Sequence, residues 1–399
     1  MRVVESLVSR FRRVTSSGTY VPQIDGLRFI AIIIVLVFHS GLKAFTHVPP
    51  DSSATQWLSA HQPNGSAGVE LFFFISGMII SFPFLNHHPP TIQKFYLRRL
   101  YRLEPPYVLT LLMCYIALDV AKIKPHGAIQ FEQQSVPLGA SFFASLVYLH
   151  GTIFGTAPRL NPPLWSLEIE VVFYLLAPAL LAVYLRLRRP RTRLLIAFSA
   201  VLLSIILQVF LVEQDTSWYF RFPSHMYGFF LGVAVGDWVS QVDQFYSRRG
   251  PVYDVIWILA LTGLLFTACF QSESMSSIWH GGLLILRAAS IVGLFIGSAW
   301  GPVGSRITGS LPLSLVGGAC YSLYLVHVPV ITACAGPLFK IVRPNDSIIA
   351  WIVGVTVLTA ASAFVGLIFF IFVERPCMNP QWPSSLGRRI RGFWVTGVR

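Results

Sequence analysis

Apolar runs long enough to cross a bilayer recur along the whole chain. They lie near residues 27 to 45, 68 to 85, 105 to 122, 165 to 185, 194 to 212, 222 to 240, 252 to 270, 280 to 300, 313 to 339 and 347 to 372, with a shorter run over 138 to 152. A helix needs roughly 20 apolar residues to span the hydrocarbon core, and lipid tolerates only backbones whose polar groups are satisfied internally. The runs therefore predict an all-α fold, a polytopic membrane helical bundle. Composition agrees: with 54% hydrophobic and 12% charged residues, a 399-residue chain has too little polar surface to coat a soluble globule.

The net charge of +13 falls mostly in short basic clusters between runs: the N-terminus, Lys94 to Arg102, Arg186 to Arg193, Arg248 with Arg249, and Arg388 to Arg391. Positive-inside topology accounts for them, so no nucleic-acid partner is implied. All five should be cytoplasmic. If 105 to 122 leaves the cytoplasm and 165 to 185 returns to Arg186, then 138 to 152 is not a single crossing. It is also too short for one, and reads as a re-entrant or interfacial segment. About ten transmembrane helices remain, with both termini inside. The first run lacks a following small-residue cleavage site and reads as a retained span. The domain reading is a cytoplasmic basic segment over 1 to 20, one membrane domain over 21 to 376 without internal repeat, and a cytoplasmic basic tail over 377 to 399. The five cysteines, Cys114, Cys269, Cys320, Cys334 and Cys377, show no CxxC spacing, so neither a metal site nor a disulfide framework is expected.

Polar groups inside apolar spans mark candidate chemistry, because they are expensive there and face a bundle interior or a wet cavity. In DGLRFIAIIIVLVFH, Arg28 and His39 are eleven residues apart. That is about 1100° of helical turn, so both lie within roughly 20° of one face and about 16 Å apart. Arg28 falls at the cytoplasmic end and His39 in the outer half. Arg28 also fits a snorkelling anchor with Asp25 as the helix cap. GVELFFFISGMII places Glu70 at a depth similar to His39, with Ser76 and Gly77 at mid-depth where small residues allow close packing. LWSLEIEVVFYL carries Trp165, Ser166, Glu168 and Glu170 near the outer end of its run. Glu170 is the deeper acid and needs a partner; Glu168 and Trp165 fit the interface. GGACYSLYLVHVPV puts His327 well inside its span, with Tyr324 one turn before it. Arg287 is unusually deep and needs an acid or water. His47, His61, His87, His88 and His126 fall in loops, where a solvated histidine is the default.

The cluster KFYLRRLYRLEPPY gathers Lys94, Arg98, Arg99 and Arg102. Beside Arg28 it makes a phosphate site as well as an anchor, since guanidinium forks match phosphate oxygens. A basic cytoplasmic mouth thus leads along one helix face to a buried histidine. The length suits the pantetheine arm of coenzyme A.

These motifs, in this order, resemble the acyltransferase 3 family of integral membrane acyltransferases from Ile24 to about Pro376. The segments are IDGLRFIA with His39, GVELFFFISG, RRLYRLEPPY, LWSLEIEVVFYL, CYSLYLVHVP and FVERP. The resemblance implies transfer of an acyl group, commonly acetyl, from acyl-CoA to a glycan, a lipid-linked sugar or an antibiotic-type acceptor. It maps functional positions onto Arg28, His39, Arg98, Arg99 and Glu170. Glu70 stands where the family usually has aspartate, and Val171 with Val172 where a further acid and a glutamine are common. No hydrolase-like domain is expected after the last span. The expected enzyme is an O-acyltransferase of a bacterial cytoplasmic membrane with acyl-CoA as donor substrate and no permanently bound cofactor or metal. His39, as base or transient nucleophile, is oriented by Glu170 or Glu70, while Arg28, Arg98, Arg99 and Arg102 hold the donor. Asp25, Trp165, Ser166, Tyr324 and His327 support the site. The rival class is a secondary transporter with a relay through His39, Glu170, Arg287 and His327, which would favour inverted repeats.

Overall fold

The computed structural model describes residues 20–48, 64–86, 89–122, 136–242, 248–269, 276–342, 347–379 and 382. Among these residues every regular element is helical. The first half comprises α1 (Pro22–Phe45), α2 (Ser66–Leu85), α3 (Ile92–Tyr115), α4 (Leu138–Leu146), α5 (His150–Phe154), α6 (Leu164–Tyr184) and α7 (Pro190–Gln214). The second comprises α8 (Met226–Gln241), α9 (Val252–Cys269), α10 (Ser277–Trp300), α11 (Pro302–Thr308), α12 (Leu311–Gly318), α13 (Cys320–Val342) and α14 (Ile348–Phe369). The N-terminal segment before Tyr20, the tail cluster Arg388 to Arg391, and His61, His87, His88 and His126 lie outside the described residues.

Nine of the described helices are long and apolar enough to cross a membrane. Their outward faces carry exposed side chains such as Leu203, Leu259, Phe364 and Phe372, as a lipid-facing surface requires. The run expected over 222 to 240 is a 3-10 turn, Phe222–His225, leading into the 16-residue α8. The run over 138 to 152 becomes two pieces, the nine-residue α4 and the five-residue α5, neither of which reaches across a bilayer. Gly155 ends α5 in the left-handed region (φ 64°), and a Cβ there would lie 2.6 Å from Ser217 Cβ. The chain thus turns there on a residue without a side chain.

The core is built on close helix contacts at glycines. A Cβ on Gly77 would lie 2.2 Å from the carbonyl oxygen of Phe229, and one on Gly232 would lie 2.1 Å from that of Phe74, so α2 and α8 touch backbone to backbone. Gly68 of α2 approaches the Ala31 carbonyl of α1 in the same way.

Contacts between helix ends set the alternation of directions. Arg193 at the start of α7 and Tyr184 at the end of α6 both donate to Asp237 near the end of α8, at 2.8 and 2.7 Å. Asp254 at the start of α9 accepts from the Val303 and Gly304 amides just past α10, both at 2.9 Å. At the opposite end, Asn64 before α2 donates to the Ala268 carbonyl in α9 at 2.7 Å, and Ser277 of α10 donates to Glu213 of α7 at 2.6 Å.

One boundary differs from the expected run of 105 to 122. Helix α3 begins at Ile92, just before the basic cluster, carries all of it, and runs on through Pro105 and Pro106. Pro105 has no N–H to offer the carbonyl of Tyr101, four residues earlier. Trp382 donates its indole N–H to that carbonyl at 3.0 Å.

Candidate active site

The histidines meet where α1 and α13 pass each other. The His39 and His327 rings are 5.0 Å apart, centroid to centroid, and tilted by 53°. His327 is fully enclosed, whereas His39 keeps partial exposure. The turn carrying His327 is held by the start of α6. The Tyr324 hydroxyl donates to the Pro163 carbonyl and lies 2.6 Å from Ser166 Oγ, which donates to it. Asn161 donates to the Leu325 carbonyl at 2.8 Å. Sequence spacing alone placed His39, Ser166, Tyr324 and His327 in three separate runs; the fold brings them together.

The arginines gather about three turns away along α1. Arg28 pairs with Asp25 on the same helix. Asp25 is therefore not the cap of α1: Val21 is the N-cap residue, Pro22 opens the helix, and the buried Asp25 carboxylate neutralises Arg28. Arg28 does not snorkel either, since only 13% of its side chain is exposed. Cys320 at the start of α13 lies within electrostatic reach of Arg28, Arg102 and Glu374. Arg102 faces Glu374 at 3.5 Å, and that buried carboxylate also accepts from the Ser322 amide and hydroxyl at 3.1 and 2.6 Å. Arg99 lies over the Phe95 ring, 3.6 Å from its centroid, and 5.2 Å from the ring of Tyr174. Arg98 is exposed.

Glu170 belongs to this second group, which corrects its expected place beside His39. It accepts from Ser76 of α2 and from Tyr174 one turn along α6. Gly65, at the N-cap of α2, packs on Phe38. Ser76 lies eleven residues along α2 and Arg28 ten residues back along α1. At 1.5 Å per residue both are about 15 Å inward, so Glu170 sits near the depth of Arg28. The error came from taking the start of α6 as the outer surface. The segment before it dips into the bundle, so α6 starts near the depth of Tyr324.

Glu70 is also not a partner of His39. It bonds His225, just before α8, with Oε1 2.7 Å from Nδ1, and His225 Nε2 donates to the Tyr219 carbonyl at 2.8 Å. Trp165 packs over this pair, 5.0 Å from the His225 ring, rather than standing free at the interface. Glu168, expected to be solvated, is buried and accepts from the Gly151 amide at 2.9 Å, tying α5 to α6. Arg287 donates to Ser66 Oγ at 2.9 Å and to the Thr267 carbonyl at 3.0 Å. His47 bonds the Lys43 carbonyl at 3.1 Å and stacks on Phe339, so it closes the end of α1 instead of being merely solvated. His225, Tyr174 and Glu374 were missed by sequence reasoning. The first and last carried a readable signal, a histidine inside an apolar run and an acid just past the end of one; Tyr174 did not.

The arrangement joins a cationic, partly exposed end to an imidazole pair through one helix. It can hold an anionic group at one end and move a proton at the other. Comparison with known proteins bears on the class of chemistry. The family model described as an acyltransferase domain, that of acyltransferase 3, matches residues 21–371. The chain is 26% identical over 376 residues to the peptidoglycan O-acetyltransferase OatA of Listeria monocytogenes, covering 90% of this chain and 56% of that protein. It is 28% identical over 331 residues to the O-acetyltransferase OatA of Staphylococcus aureus, covering 79% of this chain and 51% of that protein. The chain therefore spans about half the length of the curated relatives it matches. No solved structure matches it. With nine long apolar helices among the described residues and a family match over most of its length, the chain is an integral membrane protein and belongs to the acyltransferase 3 family.

Proposed function

We propose that this protein is a membrane O-acetyltransferase of a bacterial cytoplasmic membrane, carrying acetyl from cytoplasmic acetyl-CoA to a hydroxyl of a cell-wall glycan outside. The family and the names of its relatives support acetyl transfer, and the Listeria relative's name supports a peptidoglycan-type acceptor. The observation that carries the reading is geometric. Arg28 and His39 lie on one face of α1, with the other arginines gathered near the first and His327 beside the second.

In this reading both termini are cytoplasmic and the donor enters at the arginine end. Arg98, Arg99 and Arg28 hold its phosphates by charge-assisted hydrogen bonds, with Arg102 anchored beside them on Glu374. The pantetheine arm runs along α1, and the thioester stops beside His39. The acceptor oxygen attacks the acetyl carbonyl while His39 takes its proton as general base. The carbon–sulfur bond breaks and the CoA thiolate recovers the proton. No resident cofactor takes part.

The test is acetyl transfer by the full chain in sealed proteoliposomes of known orientation, with labelled acetyl-CoA on one side and peptidoglycan fragments on the other. Transfer is expected only with acetyl-CoA on the side of the arginines. His39→Ala should lower turnover about a thousandfold while expression and folding are kept. Near-normal transfer by a well-folded His39→Ala protein sinks the role of His39. Equal transfer with both substrates confined to the arginine side refutes the trans-membrane arrangement.

A further inference from the structure

His327 offers a ring nitrogen that no group among the described residues uses. Its Nδ1 lies 2.7 Å from the Tyr324 carbonyl oxygen, three residues earlier. A carbonyl only accepts, so Nδ1 carries the proton and, in the neutral ring, Nε2 holds a lone pair. The side chain is fully enclosed, and Nε2 has no hydrogen-bond partner among the described residues. The ring's aromatic neighbours are Tyr324, 5.6 Å away, and His39, 5.0 Å away. A buried acceptor without a donor is unusual in a folded protein and needs an explanation. The tautomer is locked from below: Ser166 and Pro163 hold Tyr324, and Asn161 holds the Leu325 carbonyl. His39 is the partly exposed member of the pair and therefore the one a substrate can reach.

We propose that His327 is a positioning residue for His39. Its Nε2 lone pair accepts the N–H on one side of the His39 ring, which leaves the lone pair on the other side for the acceptor hydroxyl. This deepens the reading above and rests on it. A small rotation of His39 closes the contact; catalytic hydrogen bonds are often long in the unliganded protein and tighten around substrate. As the acceptor oxygen bonds to the acetyl carbon and the carbon–sulfur bond breaks, the hydroxyl proton moves to His39. The N–H on the far side of His39 shifts to His327 Nε2, so the positive charge rests on the enclosed ring. The CoA thiolate then takes its proton from His39, which recovers one from His327. One proton leaves the acceptor and one reaches the thiolate, so both histidines end neutral.

Two measurements on the full chain in proteoliposomes test this. The first is kinetic. His327→Gln should lower kcat for acetyl transfer about a hundredfold and leave KM for acetyl-CoA within twofold, and added imidazole should restore part of the kcat of His327→Ala. A His327→Gln protein with kcat within threefold of the wild type overturns the proposal, as does a loss confined to KM with no imidazole rescue. The second does not depend on acetyl transfer. With 15N-labelled histidine, solid-state magnetic resonance should show the His327 ring protonated at Nδ1, and His327→Gln should move the His39 ring nitrogens. His39 signals unchanged in His327→Gln overturn the pairing. Wild-type protein that fails to use acetyl-CoA while His39 still responds to His327→Gln refutes the donor assignment and leaves the histidine pair standing.

Discussion

Arg98 and Arg102 are four residues apart in one basic cluster, yet their surroundings assign them different work. Arg98 is exposed and free to turn toward an anion, whereas Arg102 faces a carboxylate that is itself wholly buried. Arg98→Ala should weaken CoA binding several-fold without changing the melting temperature, and should not weaken binding of a phosphate-free pantetheine fragment. Arg102→Ala should lower stability by about 1–3 kcal/mol, the cost of leaving a buried charged acceptor short of a donor. Thermal unfolding in detergent together with CoA titration separates the two, and equal behaviour of both variants defeats the distinction. Glu170 yields a second contrast. Because its partner Tyr174 lies beside Arg99, Glu170→Gln should raise KM for acetyl-CoA several-fold and keep kcat within about threefold of the wild type. A fall in kcat alone would return Glu170 to the reacting centre.

At the scale of the helix, the α2–α8 contact depends on absent side chains. Gly77 and Gly232 each bring a Cα within reach of a carbonyl oxygen on the other helix, leaving no room for a methyl group. Gly77→Leu should force these helices apart, with a cost of about 1–3 kcal/mol or more and loss of most folded protein on extraction. Gly139, where an added Cβ meets nothing within 4 Å, is the control, and Gly139→Ala should extract normally. Extraction of Gly77→Leu at wild-type yield would show that the contact is not needed. The short pair α4 and α5 works differently, since Glu168 grips the Gly151 amide and Asn161 grips α13, and through these ties the segment places the start of α6 beside Tyr324.

For the whole molecule, the direction of each span follows from which ends meet. The ends joined at Asp237 and at Asp254 lie on the arginine side, and those joined through Asn64 and Ser277 lie on the other. Single cysteines on a cysteine-free background test this together with the re-entrant segment. Both Pro137 and Arg189 are exposed. A cysteine at Pro137 should react with a membrane-impermeant reagent applied outside, and one at Arg189 only after permeabilisation. Labelling at Arg189 from outside would mean that 138 to 163 crosses the membrane and that every later span is inverted.

How much of this was legible in the chain depends on the range of the interaction. The apolar runs, the basic clusters between them, and the eleven-residue spacing that puts Arg28 and His39 on one face are properties of consecutive residues, so length, periodicity and charge sign were enough to read them. The same holds for the segment at 138 to 152, which was too short for a span-length helix and forms the nine-residue α4 and the five-residue α5. Which polar side chains meet is a different kind of question. Glu70 could be placed at a depth but not given His225 as its partner, because that pairing spans 155 residues and depends on how α2 packs against α8. Glu170 was put beside His39 because a helix was assumed to start at the membrane surface, and only the dip of the chain before Leu164 moves it to the arginines. His327 could be recognised as a histidine inside a span, but the carbonyl that locks its tautomer and the ring of His39 beside it exist only once α1, α6 and α13 are packed. Sequence determines where polar groups sit along each helix, since that follows from rise per residue. Tertiary structure alone decides which of them meet, since that follows from the rotation and offset of packed helices.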